Sequence, residues 1–210
     1  MKSSSFVLSL MLATAAAYAA PHVDMKDPRR ALARADDVRI VAELQQDTLQ
    51  QNGPVMVTYQ VENLSDSPIA IADHLSDTDF NPDDDTLTLS IGAEALTTKT
   101  LPHLAVIAPG EKKTFRAGGS VHGVVNAHGP FAVVPHSVLI RVNILRDVSA
   151  FRQAIAAQQR PNAVVGVTNE MFDRWIDAND SIDLNALPVK WSSEAPHDNV
   201  ARADQGGGSW

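Results

Sequence analysis

The sequence predicts a mainly β chain: an antiparallel β-sandwich of seven to nine strands, with one or two short helices inserted before the last strand. Three observations predict it. Apolar residues recur at every second position in several short runs. Clusters of Gly, Pro, Asn and Asp separate those runs at intervals of about ten residues. Within the main domain, helical spacing enters only after Asp147.

Taken in order, the first nineteen residues read as a secretory signal peptide. Lys2 supplies the positive start, Phe6 to Leu12 the apolar segment, and Ala17, Tyr18 and Ala19 an A-x-A cleavage site. Cleavage after Ala19 is expected to leave 191 of the 210 residues as a soluble chain in the periplasm or outside the cell. The new terminus would read Ala20, Pro21, His22, and Pro21, which has no amide proton to lose, disfavours an amino-terminal copper clamp. Residues 20–36 are expected to be an N-terminal tether, with Asp27 and Pro28 placed to open a short helix carrying Arg29, Arg30 and Arg34.

The main domain is expected over 37–192. Val38, Ile40, Ala42 and Leu44 mark its first strand, and Val55, Val57, Tyr59 and Val61 a second, opened by Gly53 and Pro54. Asn63 to Pro68 is a turn, followed by a strand through Ile69 and Ile71. Asp73 to Asp85 reads as a long polar loop before the alternating Leu87, Leu89 and Ile91. Ala108, Pro109, Gly110 and Glu111 turn the chain between the run Leu104 to Ile107 and a strand around Thr114 to Arg116. Gly118, Gly119, Gly123 and Gly129 make a loop-rich stretch, and Val138, Ile140, Val142 and Ile144 restore a clear strand.

The helical insertion is expected at about 147–180. Asp147 or Ser149 caps a helix presenting Phe151, Ala154 and Ile155, and Pro161 stops it. A second runs from Asn169 to Ala178 with Thr168 as cap and Met171, Phe172, Trp175 and Ile176 as its buried stripe. Ile182, Leu184, Leu187, Val189 and Trp191 form a returning strand whose apolar phase shifts at Asn185 or Ala186, as a bulge produces. Residues 193–210, rich in Asp, Gly and Ser, are expected to be a disordered tail.

Composition narrows the function classes. The formal charge of −8, or −9 once Lys2 leaves with the leader, disfavours nucleic acid and anionic lipid as partners. The chain has no cysteine, which removes disulfides, thiolate metal sites, cysteine nucleophiles and a lipoprotein anchor. The short leader and the lack of disulfides point to a bacterial periplasm.

The run Val57 to Asp66 (VTYQVENLSD), the turn Leu104 to Glu111 (LAVIAPGE) and the step Gly129, Pro130, Phe131 resemble bacterial immunoglobulin-like or fibronectin-type-III-like domains over residues 37–146. The order of these blocks is also similar to the β-sandwich region preceding the catalytic domain in deuterolysin-like metallopeptidase precursors. The chain contains no H-E-x-x-H, so that resemblance implies no peptidase activity.

Several constellations bear on chemistry. Asp77, Asp79, Asn81, Asp83, Asp84 and Asp85 place oxygen ligands at alternate positions, as Ca²⁺ uses, with Asp77, Asp79 and Asn81 as the metal candidates. Pro82 and Thr88 stand where an EF-hand loop needs Gly and Glu, so any Ca²⁺ site here would be irregular, and otherwise the acids solvate a long loop. The histidines His22, His74, His103, His122, His128, His136 and His197 form no local metal motif, though His122, His128 and His136 stay open as ligands from separate segments. Gly118 to Gly123 approaches G-x-S-x-G but has His122 where Gly is required. Asp173 and Asp177 put two carboxylates on one helix face, and Asn63, Leu64 and Ser65 form an N-glycosylation sequon.

The reading these observations favour is an exported, non-catalytic β-sandwich that binds a protein or peptide through its loops or a strand edge. The loop 73–85, with Asp77, Asp79, Asn81, Asp83, Asp84 and Asp85, and the Gly-rich segment with His122 and His128 are its expected surface. No cofactor is expected beyond Ca²⁺. The alternatives are an inhibitor or prodomain-like partner of a secreted protease, and a metal-binding protein using the His and Asp loops.

Overall fold

A computed structural model describes residues 28–35, 37–124, 132–160 and 163–192. The leader, His22, His128, the step at Gly129 to Phe131, Pro161, His197 and the tail lie outside these described residues. The described chain is mainly β. Its strands are β1 (Arg30–Ala35), β2 (Val38–Leu44), β3 (Thr48–Gln50), β4 (Pro54–Asn63), β5 (Ile69–Ala72), β6 (Leu75–Asn81), β7 (Thr86–Ile91), β8 (Leu104–Ile107), β9 (Lys112–Ser120), β10 (Ser137–Leu145), β11 (Asn179–Asp183), β12 (Leu187–Pro188) and β13 (Lys190–Ser192). A 3₁₀ turn at Ser149–Phe151 leads into α1 (Arg152–Gln158), and α2 (Asn169–Ala178) precedes β11. Thirteen strands among the described residues exceed the seven to nine expected, because several are pieces of two to four residues.

One sheet has the order β1-β2-β4-β9 and is antiparallel throughout. The other runs β6-β7-β10-β5-β8, with β11 and β12 also paired to β10. β7 and β10 are parallel, against the antiparallel expectation, since the chain passes through β8 and β9 between them and no hairpin constrains their directions. β3 and β13 form a small parallel pair.

Alternation explains the core between the sheets. Ile40, Leu44, Val57, Tyr59 and Val61 from one sheet and Ile71, Leu87, Leu89, Val138, Ile140 and Val142 from the other belong to one buried cluster. β5 is buried on both faces: Ile69 and Ile71 enter this core, while Ala70 and Ala72 enter a second one with Leu96, Leu101, Leu104, Leu145, Phe151 and Trp175. The two alanines leave room for the helical layer to lie close against the sheet. Phe151 and Trp175 meet edge to face, ring centroids 5.7 Å apart.

Four expectations are corrected. Arg30 to Ala35 is a strand, not part of a helical tether, because Ala31, Ala33 and Ala35 face the core while Arg30, Leu32 and Arg34 face outward; pairing with β2 overrides alanine's helical preference. The polar loop 73–85 contains β6, whose inward residues are Leu75, Thr78 and Phe80; a register shift after Leu75 and the polar Thr78 leave the alternation little apolar signal. Gly118 and Gly119 belong to β9; a Cβ at Gly119 would come 2.8 Å from Leu75 Cδ2. On α2 only Trp175 of the predicted stripe is buried, while Phe172 and Ile176 are 39% and 53% exposed. The Thr168 cap stands, its side chain accepting from Met171 N at 3.2 Å.

The phase shift near Asn185 also appears in the register. Arg141 pairs with Asp183 but Val138 with Leu187, one residue more on the returning strand. Asn185 Oδ1 then accepts from Leu32 N at 2.7 Å, tying the returning strand to β1.

Candidate binding cleft

β6 opens with an irregularity. Leu75 pairs with Ile91 and Asp77 with Ser90, so Ser76 is the extra residue. Its hydroxyl donates to Gly92 O at 2.6 Å and to Ser90 O at 3.0 Å, fixing the bulge against the end of β7. Gly92 has φ +72°, and a Cβ there would lie 2.9 Å from Asn143 O and 3.3 Å from Ala72 O. Only glycine fits where three strand ends converge. Asn143, 2% exposed, donates through Nδ2 to Ile91 O and Gly92 O at 3.1 Å each and accepts at Oδ1 from Ser181 Oγ at 2.6 Å.

The chain therefore leaves β7 sharply and enters the segment 93–98. Trp175 Nε1 donates to Ala93 O at 3.0 Å, and Leu96 is buried in the second core, so α2 holds this segment in place. Between β6, this segment and α2 lies a cleft of about 770 Å³. His74, Asp77 and Glu94 are its ionisable side chains, Leu96, Pro102 and Ile176 form its apolar part, and no Lys or Arg lines it. A smaller cleft of about 270 Å³ lies on the other side of Ser76 and Asp77 and reaches Gly119, Ser120 and His122. Thr78 fixes the His122 backbone, accepting from its N–H at 2.8 Å and donating to its carbonyl at 3.3 Å.

Tyr59 anchors the entry to this region. Its ring is buried and its hydroxyl donates to Asp73 Oδ1 at 2.7 Å, next to His74. Burial, followed by the Asp73 carboxylate, pushes the phenol well above its ordinary range, so it remains a donor.

Of the expected surface, the structure brings Asp77 and His122 to the same small cleft and spreads the rest. Asp77, Asp79 and Asn81 alternate along β6, and a strand rise of about 3.3 Å per residue separates the first from the last by about 13 Å. Ca²⁺ needs ligand oxygens at roughly 2.3–2.6 Å, so these three do not share an ion. The turn uses its polar groups locally instead. Asn81 Oδ1 accepts from Asp83 N, Asp84 Oδ1 from Thr86 N, and Asp85, at φ +53°, lies 3.3 Å from His136 Nδ1. Among the described residues no group of three or more His, Asp and Glu gathers as a metal site requires.

Other motifs resolve into local structure. Ser120 ends β9 and does not sit on a strand-to-helix elbow. Asp173 and Asp177 are exposed. The sequon is closed: Asn63 is fully buried, its Nδ2 donates to Ser67 O at 2.8 Å and Ile107 O at 3.0 Å, and its Oδ1 accepts from Ser65 N and Oγ.

Sequence reasoning missed Glu94, Leu96 and Ile176 as cleft residues, while His74 and Asp77 fall within the expected loop 73–85. Gly92, the residue that directs the chain into the wall, was the available signal, since a glycine directly after an alternating strand marks a special backbone. Comparison with protein-family models, curated proteins and solved structures returns no match to this chain.

Proposed function

We propose that the protein is an exported, non-catalytic, immunoglobulin-like β-sandwich that binds a peptide or protein segment in the cleft between β6, residues 93–98 and α2. The observation that carries this reading is the lining itself. Two carboxylates and no Lys or Arg stand beside Leu96, Pro102 and Ile176, and the exposed Phe172 lies one turn from Ile176 on α2. That combination suits a segment with a Lys or Arg next to an apolar side chain. The hydrogen bonds of Ser76, Asn143 and Trp175 support a preformed site, which reduces the ordering cost of binding.

Panning a peptide library on the immobilised protein tests the reading. Enriched sequences are expected to carry a basic residue beside an apolar one, and to lose binding by tenfold or more, about 1.4 kcal/mol, to Glu94→Lys and to Ile176→Glu. Enriched sequences that bind both variants as well as the parent would contradict it.

A further inference from the structure

The register sorts the surface charge by sheet. On the face of the four-stranded sheet turned away from the core, paired residues form the rows Arg34-Arg39-Glu62-Lys112, Leu32-Val41-Gln60-Thr114 and Arg30-Glu43-Thr58-Arg116. Five cations face two carboxylates, a net +3 on a chain of net −8. Glu62 lies 3.5 Å from both Arg39 and Lys112, and Glu43 lies 3.5 Å from Arg30. Arg34 and Arg116, at opposite corners, have no ion-pair partner among the described residues. None of these outward side chains is buried.

The outward face of the other sheet, beyond the helical layer, has the opposite sign. Its rows are Asp79-Thr88-Leu139, Asp77-Ser90-Arg141-Asp183 and Asn81-Thr86-Ser137. Three carboxylates stand against one guanidinium, which Asp183 already engages at 2.6 and 3.0 Å, giving net −2. Asp83, Asp84 and Asp85 extend the acidic surface at the hairpin tip.

We infer that the basic face of one copy stacks on the acidic face of a second copy of this chain. Every copy carries both halves of the contact, so the complementary surface is always present at the same concentration as the basic one. Both faces are sheets twisted in the same sense, and such faces pack aligned at about 30°. Basic-to-acidic stacking is heterologous and leaves both ends open, so it builds chains of molecules and not a closed pair. Four strands about 4.8 Å apart give a face of roughly 600 Å², below the roughly 800 Å² per partner of a standard interface. The association is therefore weak and strongly salt-dependent.

Sedimentation velocity of the full mature chain over a concentration series, at low and high NaCl, tests this with two charge-reversed proteins. Arg34→Glu with Arg116→Glu turns the basic face net negative, and Asp79→Lys with Thr88→Lys turns the acidic face net positive while leaving Asp77 in place. The parent is expected to show mass rising with concentration at low salt and a monomer at high salt. Each variant alone is expected to be monomeric at low salt, and an equal mixture of the two to associate again. Restored association in the mixture also shows that both variants are folded. A parent that is monomeric at low salt at every concentration overturns the inference. So does salt-independent association, or a mixture that stays monomeric although both proteins keep the parent's circular dichroism and melting temperature. None of Arg34, Arg116, Asp79 and Thr88 lines the peptide cleft, so failure here leaves the cleft reading standing.

Discussion

Asn63 organises the bend after β4 by itself. Its four side-chain hydrogen bonds satisfy two carbonyls and hold Ser65, in a position with no access to solvent. Replacing it with alanine leaves Ser67 O and Ile107 O without that donor, and a buried unsatisfied group costs about 1–3 kcal/mol. Urea unfolding of Asn63→Ala should show a loss of about 2 kcal/mol with an unchanged m-value. The same geometry bars a glycan, which would take one of the two Nδ2 hydrogens and has no space. Folded protein secreted from a eukaryotic host should show no glycan mass on the Asn63 peptide. The sequence shows the N-x-S pattern in a turn cluster, and only burial decides between a modification site and an internal brace.

At the scale of elements, α2 joins fold to cleft chiefly through its one buried side chain. Trp175 fills the second core, meets Phe151 edge to face and bonds Ala93 O, so Trp175→Ala should cost about 3–5 kcal/mol. Thr168→Ala, which removes only the helix cap, should cost about 1 kcal/mol, and thermal or urea unfolding separates the two. The returning strand contributes a pH-dependent tie. Hydrogen bonds from Arg141 hold the Asp183 carboxyl below the usual carboxylate range, and Arg146 does the same for Asp37 at the start of β2. Folded values below the unfolded ones give stability that is complete above about pH 4 and is lost as pH falls through the folded values. Asp183→Asn should therefore lose less melting temperature than the parent between about pH 4 and pH 2.5, a comparison scanning calorimetry makes directly.

Legibility followed the chemistry of the inward residues. β2, β4 and β10 announce themselves because Val, Ile, Leu and Tyr alternate with polar groups. β1 and β6 do not, because alanines occupy the inward positions of one, and in the other a register shift parts Leu75 from Thr78 and Phe80. The α2 boundaries and cap are local and could be read; which members of its stripe are covered depends on the segment 93–98, some eighty residues away in sequence.

Across the whole molecule, net charge proved a poor guide to surface character. A total of −8 disfavours anionic partners on average, yet the alternation of the four-stranded sheet collects a net +3 on one face. The acidic residues seen in the sequence as one loop are divided between the outward face of β6 and the hairpin tip, and one of them, Asp77, also borders both clefts. No helix among the described residues is long and apolar enough to cross a membrane. The main cleft arises from distant segments meeting: a bulge at Ser76, a left-handed Gly92, a buried Asn143 and one side of α2. None of these carries a motif, which is why the sequence pointed to the neighbouring hairpin instead.

Amide chemical-shift mapping with a peptide enriched on the protein locates the bound segment. A peptide held in the proposed cleft between β6, residues 93–98 and α2 should shift residues 74–77, 93–98 and the surroundings of Ile176, and these shifts should vanish in the Glu94→Lys variant. Shifts centred on the four-stranded sheet, or a pattern unchanged in that variant, would place the peptide elsewhere.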